Sequence, residues 1–384
     1  MNVPSVSQQL RYFQKQQPKI VKTIRQFVEI ESPSDVKQSV DRLGTVLASR
    51  FAELGGRIRV HPAEKFGNHL QVDFKGRGPR DQKPVLLLGH MDTVYPIGTI
   101  SKMPCRVIKD RLHGPGVLDM KSGIALALHA MEAMLKWNAG KLPRAMTVLL
   151  VSDEEIGSAS SRAITETLAR KSAAVLVLEP AQGLAVKTSR KGICEYTLKV
   201  TGKAAHSGLD FEKGQSAIVE LAKQIWQISQ LVDLRRGITV NVGKVSGGTR
   251  ANVVPAEATG VIDVRVLRMG DGVEIDSKLR ALKLFNRNCQ IEVSGGMNRP
   301  PMERTAGVAA LYEKASVVAD ELGWKLEEAA VGGGSDGNFT AALGIPTLDG
   351  LGGVGDGAHA EHESVIISEL PRRAALLSGL IAAI

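Results

Sequence analysis

The chain has 384 residues, 43% of them hydrophobic and 23% charged, which excludes a disordered chain and leaves room for two or three domains. Its three cysteines, Cys105, Cys194 and Cys289, are odd in number and lack CxxC spacing, which argues against a disulfide framework and a thiolate metal site and favours small buried thiols over a nucleophile. A net charge of +9 on scattered Lys and Arg, with 4% aromatic residues, lacks the basic tracts and stacking platforms of a nucleic-acid binder; it suits an anionic small substrate, or plain solubility.

The N-terminal stretch has no apolar signal core, and no apolar run approaches the roughly 20 residues that cross a bilayer, so a cytoplasmic location with no membrane partner is expected. Apolar spacing predicts helices over 7–31 and 37–55, with "SPS" as the turn between them. "HLQVDF" (69–74) alternates as a strand does. "PVLLLGH" (84–90), "MTVLLVS" (146–152) and "AAVLVLE" (173–179) are continuous apolar runs, the pattern of strands covered on both faces. Helical patterns at 122–137 and 158–171 fall between them, so the first domain reads as a layered α/β sheet.

From about Glu195 the pattern changes. "EYTLKV", a helix over 215–231, strands at 238–245 and 258–267, a helix over 272–285 and a strand at 289–293 follow in order. That is β-α-β-β-α-β, the ferredoxin-like split unit. The expected organisation is a first domain of residues 1–190 and 300–384 with 191–299 inserted as a second domain. Helices over 305–323 and at the C-terminus, with a strand at 345–350, return to the first domain.

Each apolar run ends on chemistry. "VLLLG" leads to His90 and Asp92, "TVLLVS" to Asp153, Glu154 and Glu155, "AVLVL" to Glu179, and "IPTLDGLGG" to a loop carrying His359. "GPGVLDMKSG" adds Asp119 at a helix entrance. Singly, each is an ordinary polar residue of a loop. Together they lie where open α/β sheets bind ligands, beyond the carboxyl ends of the strands. Histidines and carboxylates without cysteine suit zinc, with cobalt or manganese as substitutes.

"GHMDTV", "GPGVLDMKSG", "SDEEIGS", "LEP" and "GAHAEHE", in that order, resemble the motif set of the M20 metallopeptidases, and the chain is most similar to their glutamate carboxypeptidase branch. The resemblance implies a three-layer α/β/α zinc-peptidase domain with an inserted ferredoxin-like dimerisation and lid domain. It implies two Zn2+ per subunit. His90, Asp119 and Glu179 would hold one, and Asp119, Glu155 and His359 the other, with Asp119 bridging and the Asp119–Met120 peptide cis. Glu154 would act as general base toward the metal-bridging water, and Asp92 would orient His90. Spacing from Glu363 selects His359 over His362 as ligand, and His362 stands where the family often has Asn or Asp.

The same resemblance places His206, in "GKAAHSG", at the partner subunit's site in a homodimer formed through 191–299. Asn252 and Arg265 would take the substrate's terminal carboxylate, for which the planar Arg fork is apt, with Gly334 and Ser335 of "GGGSDGN" near the same pocket. Lys187, Arg190 and Lys191 would add positive charge for an acidic side chain or, the reading preferred here, form a solvated hinge, with chain crossings near 190 and 299 that permit open and closed forms. His61, His69, His113 and His129 read as structural or solvated.

The implied activity is hydrolysis of an amide bond that releases a C-terminal amino acid, glutamate, from peptides or N-acyl amino acids. An acetylornithine or succinyl-diaminopimelate type of deacylase and a dipeptidase are alternatives with the same machinery. A non-catalytic module with this fold is the remaining alternative, and the completeness of the ligand set and base argues against it.

Overall fold

In a computed structural model of the chain, which describes residues 4–79 and 81–384, the uninterrupted Val and Leu runs become the middle of a six-stranded sheet. Its order is Arg57–His61, His69–Phe74, Met146–Val151, Val85–His90, Ala174–Val177 and Thr347–Leu348. The first two pairings are antiparallel and the other three parallel.

The runs do not alternate because both faces are covered. Val85, Leu87, Val148, Leu150 and Leu176 join a large core with helices Val6–Val28, Lys37–Glu53, Ser122–Trp137, Ala306–Glu321 and Leu370–Ala383. Leu86, Leu88, Leu149, Val151, Val175 and Val177 face the opposite side, with Ala169 of helix Arg162–Lys171. Each such side chain contributes about 1.5–3 kcal/mol by leaving water, so a polar residue on either face would be costly. The result is the three-layer α/β/α arrangement.

The three central parallel strands end side by side: His90 pairs with Val151, and Leu88 with Val177. This register carries the residues just beyond each strand to one place. Helix Ser122–Trp137 starts close against that place. A Cβ on Gly123 would stand 2.0 Å from the Leu178 carbonyl oxygen, so only glycine permits the approach.

A small antiparallel sheet lies in the order Gly355–Asp356, Ser364–Ile366, Arg111–His113, Arg106–Ile108. Its strands of two or three residues are too short to show a period in sequence.

The chain divides into two units. One runs up to Ser189 and includes Arg304–Ala330 and Ser335–Ile384; the other holds Arg190–Glu303 and Val331–Gly334. Spacing predicts two crossings between units, whereas the structure has four, because Val331–Gly334 groups with the second unit. There Arg190 Nη1 donates to the Gly333 and Gly334 carbonyls at 3.3 and 3.0 Å, and the Lys191 N–H to Val331 O at 3.0 Å. Lys187 and Arg190 are buried, which overturns the reading of 187–191 as a solvated hinge.

The second unit's sheet is antiparallel, in the order Thr239–Gly247, Glu257–Val266, Gly192–Thr201, Gln290–Arg299. Helices Ala217–Ser229 and Met269–Arg280 complete the ferredoxin-like unit. Alternation places Cys194, Tyr196, Leu198 and Val200 in the core. The last strand runs six residues past the predicted Val293 end. Gly295 and Gly296 carry it on: a Cβ on Gly295 would lie 2.2 Å from Glu195 O, so glycine permits the close pairing there. All three cysteines are free. Among the described residues, no helix is long and apolar enough to cross a membrane.

Candidate metal centre

His90 ends the central strand and is 2% exposed. Its Nδ1 lies 3.0 Å from the Asp92 main-chain oxygen, an acceptor, and 3.5 Å from the Asp92 carboxylate. A proton on Nδ1 leaves Nε2 to face the site. Nε2 is 3.0 Å from Asp119 Oδ1 and 3.5 Å from Glu179 Oε1.

Asp119 sits in the turn Val117–Lys121 that enters helix Ser122–Trp137, with non-helical backbone (φ −110°, ψ 95°) and a cis peptide to Met120. The turn presents its two oxygens in different directions. Oδ1 faces His90, and Oδ2 lies 3.3 Å from His359 Nε2. His359 Nε2 is also 3.1 Å from Glu155 Oε2. His359 has a left-handed backbone (φ 65°), a strained state for a side chain with a Cβ that surrounding contacts must maintain.

Glu154 and Glu155 occupy the 3₁₀ turn Glu154–Ile156 beyond strand Met146–Val151. The buried Asp92 carboxylate receives their N–H groups at 3.3 and 3.2 Å and the Ser34 hydroxyl at 2.7 Å. Asp92 therefore joins the His90 strand end to the turn that carries both glutamates. Asp153 has a different role: its Oδ2 accepts from the Ser160 N–H and hydroxyl, both at 2.7 Å.

Ligand atoms of His90, Asp119 and Glu155 lie within 4.8 Å of one another, as do those of His90, Glu154 and Glu179. A tetrahedral ion about 2.1 Å from each ligand sets those ligands roughly 3.4 Å apart. The His–carboxylate spacings of 3.0, 3.5, 3.3 and 3.1 Å match that edge. Glu155 Oε1 is buried with no hydrogen-bond partner among the described residues, which is costly unless a cation faces it. The residues fit a divalent metal that prefers nitrogen and oxygen.

The electrostatics agree. Burial would lower the His90 pKa, but Asp119, Asp92 and Glu179 raise it well above an ordinary imidazole. Asp119 and Glu155 raise His359 to about 10, against its partial burial. Burial opposes ionisation of Asp119, yet His359 and His90 hold its carboxyl far below the usual range. Burial raises Glu155, against the pull of His359. The cluster holds positive charge strongly because carboxylates outnumber imidazoles.

Of the remaining site candidates, His206, Asn252, Arg265 and Gly334 belong to the second unit and Ser335 to the first. His206 is exposed in the second unit, and its Nδ1 accepts the Gly208 and Leu209 N–H groups at 3.2 and 3.1 Å. Asn252 is exposed in the same unit. Arg265 is bidentate on Asp263, through Nε at 2.9 Å and Nη2 at 2.9 Å. Gly334 packs against Ile193 and Arg299, where a Cβ would approach to 2.6 and 2.9 Å. Ser335, in the first unit, is fully buried and donates its hydroxyl to Asp349 Oδ2 at 2.6 Å.

Sequence reasoning passes over Ser34, which reads only as part of a turn. It also passes over Lys121, whose Nζ donates to Ile30 O at 2.8 Å and whose pKa burial lowers to about 8. The only signal for either was proximity to a ligand motif. His69 and His129 are buried, beside the Ser160 and Thr23 hydroxyls at 3.0 Å each.

Comparison with known proteins gives the lineage. The chain is 31% identical over 379 residues to carboxypeptidase G2 of Pseudomonas sp. (strain RS-16), covering 95% of this chain and 89% of that one. It is 27% identical over 268 residues to acetylornithine deacetylase of Salmonella arizonae, covering 65% and 68%. Aminopeptidase PepT of Bacillus cereus has the same fold, with TM-score 0.80 at 22% identity over 96% of this chain and 98% of that one. The model of peptidase family M20/M25/M40 matches residues 86–383, which include every residue of the histidine and carboxylate cluster, and the chain is a hydrolytic enzyme of that family.

Proposed function

We propose that the chain is a di-zinc amidohydrolase that releases a C-terminal amino acid, glutamate, from peptides or N-acyl amino acids. The observation that carries the two-metal reading is Asp119. Its oxygens face separate imidazoles, His90 at 3.0 Å and His359 at 3.3 Å, as a bridging carboxylate must. His90, Asp119 and Glu179 would hold one ion, and Asp119, Glu155 and His359 the other, with Co2+ or Mn2+ as substitutes. Bound there, the metals supply Lewis acidity and bring the pKa of water toward neutrality.

The chain's own residues do the rest. Glu154 has a carboxylate oxygen within 4.8 Å of ligand atoms of His90 and Glu179. It takes the proton from the attacking water and delivers it to the leaving nitrogen. His206 would serve the partner subunit's site by polarising the scissile carbonyl: with Nδ1 accepting two backbone N–H groups, its proton sits on Nε2. Asn252 and Arg265 bind the substrate's terminal carboxylate, with Gly334 and Ser335 shaping that pocket through their backbone.

Glutamate release rests on the 31% identical carboxypeptidase relative and on the +9 net charge, which favours acidic substrates. The acetylornithine deacetylase relatives support a second reading, an N-acyl amino acid deacylase. A homodimer through the second unit is supported by its exposed apolar face. Ile218, Val219 and Trp226 stand out from helix Ala217–Ser229, with Trp226 67% exposed. Strand Thr239–Gly247 is an open sheet edge beside that unit's core.

The test is hydrolysis by zinc-loaded enzyme of N-acyl-glutamates, p-aminobenzoyl-glutamate, N-acetylornithine, succinyl-diaminopimelate and dipeptides, with Glu154→Ala alongside. Glutamate released by wild type alone supports the reading. Turnover of N-acetylornithine instead moves the specificity to the deacylase. No turnover of any member by metal-loaded protein would overturn both.

A further inference from the structure

Glu363 is fully buried, yet no Lys or Arg forms an ion pair with it among the described residues. Such a carboxylate is tolerated only where other donors replace water. Here the donors are three backbone N–H groups together with the Tyr95 hydroxyl. Glu363 Oε1 accepts the N–H groups of Leu118 at 2.7 Å and Asp119 at 3.0 Å, and Oε2 accepts that of Gly116 at 3.0 Å. The Glu363 main-chain oxygen accepts a further N–H, from Gly114 at 3.3 Å. The segment 114–119 is thus wrapped around one glutamate, in the manner of an anion nest.

The other side of Glu363 is the loop that carries His359. The Glu363 N–H donates to Ala360 O at 3.0 Å, and the Ala360 N–H to Gly357 O at 2.9 Å, which closes the turn around the left-handed His359. Tyr95, three residues beyond Asp92, donates its hydroxyl to the same Ala360 oxygen at 3.0 Å. Three loops that bear site residues therefore meet at one point: 90–95, 114–121 and 355–363.

We propose that Glu363 is a positioning residue that sets the separation of His359 from Asp119, and so builds the half of the site those two residues share. The inference rests on the two-metal reading above. Its logic is geometric. The carboxylate holds the backbone N–H of Asp119 itself, while His359 rides four residues upstream on the same turn. Apart from this link, the two ligands meet directly at 3.3 Å. A carboxylate is needed because both oxygens accept. A glutamine in either amide orientation would turn an N–H₂ toward at least one backbone N–H.

Equilibrium dialysis with Co2+, counted per chain and followed by its visible absorption, tests this on wild type, Glu363→Gln and Tyr95→Phe. Wild type is expected to take up two Co2+. Glu363→Gln should bind the second ion about 10- to 100-fold more weakly, the size expected for loss of a group that orients ligands. Its visible spectrum should change and kcat should fall with KM little altered, at a temperature where circular dichroism shows it folded. Tyr95→Phe loses the hydroxyl that donates to Ala360 O and also interacts with the Glu363 carboxylate, and should weaken the same ion several-fold. That variant decides the matter if Glu363→Gln does not fold. Variants that are less thermostable but bind both ions with wild-type affinity and spectrum would overturn the inference, leaving Glu363 a purely structural residue. Wild type that takes up no Co2+ would instead overturn the metal reading, and the role of Glu363 with it.

Discussion

The backbone gives two adjacent glutamates different surroundings at the site. Glu155 reaches His359 at 3.1 Å, whereas Glu154 groups with His90 and Glu179. Removing Glu154 should therefore leave metal uptake intact and lower kcat by about 10²–10⁴-fold, the usual worth of a general base. Steady-state kinetics beside metal analysis of Glu154→Ala checks this, and lost metal would reassign Glu154 as a ligand. Around these groups the buried polar residues work by collecting N–H groups. Asp92 was legible from the His-x-Asp spacing, but its contacts to the glutamate turn were not. They join residues 62 and 63 positions apart, and no local pattern encodes that distance.

At the scale of elements, helices Val6–Val28 and Ser122–Trp137 are tied by polar contacts as well as by core packing. Lys19 Nζ donates to Glu132 at 2.6 Å, and His129 Nδ1 lies 3.2 Å from the same carboxylate. His129, then Lys19, lower the Glu132 pKa to about 2 despite partial burial. A depressed carboxylate contributes stability that is fully present above its unfolded pKa, near 4.5, and is lost as pH falls toward about 2. Glu132→Gln should therefore cost about 1 kcal/mol at pH 7, after allowance for the solvent around this half-exposed pair. The cost should vanish on acidification across that window. Urea denaturation at several pH values measures it, and a pH-independent difference would count against the ion pair.

Strand and helix positions were largely readable at this scale because burial on both faces, or on one, leaves its own period in the sequence. The small sheet around Arg111–His113 and Ser364–Ile366 was not. Its strands contribute two or three residues each, and its central pairing joins residues about 250 positions apart, such as Ser364 with His113.

At the scale of the molecule, metal and association should both show in solution. A cation that binds only the folded site stabilises by about 4 kcal/mol when present at about a thousand times its Kd, enough to move Tm by several degrees. Adding EDTA to zinc-loaded protein should lower Tm accordingly, and the shift should persist in Glu154→Ala, where the ligands are intact. Calorimetry with and without chelator decides, and an unchanged Tm would argue against resident metal. The exposed Trp226 face makes a second expectation. Trp226→Glu should convert a dimer to a monomer in size-exclusion chromatography with light scattering, and a monomeric wild type would remove the dimer from the proposal.

The sequence by itself determined the α/β class, the ferredoxin-like unit and the membership of the acid and histidine cluster. Those depend on hydrophobic period, element order and short motifs, all of them local. The tertiary structure alone decided what joins the cluster's members. It placed the two Asp119 oxygens toward different histidines, set Asp92 under the glutamate turn, folded 114–119 around Glu363, and sent the chain between units four times. Each of these is a side-chain or backbone hydrogen bond, or a packing contact, across a long sequence separation. Such bonds form wherever the packed elements bring donor and acceptor together, and they leave no periodic trace in the residues that make them.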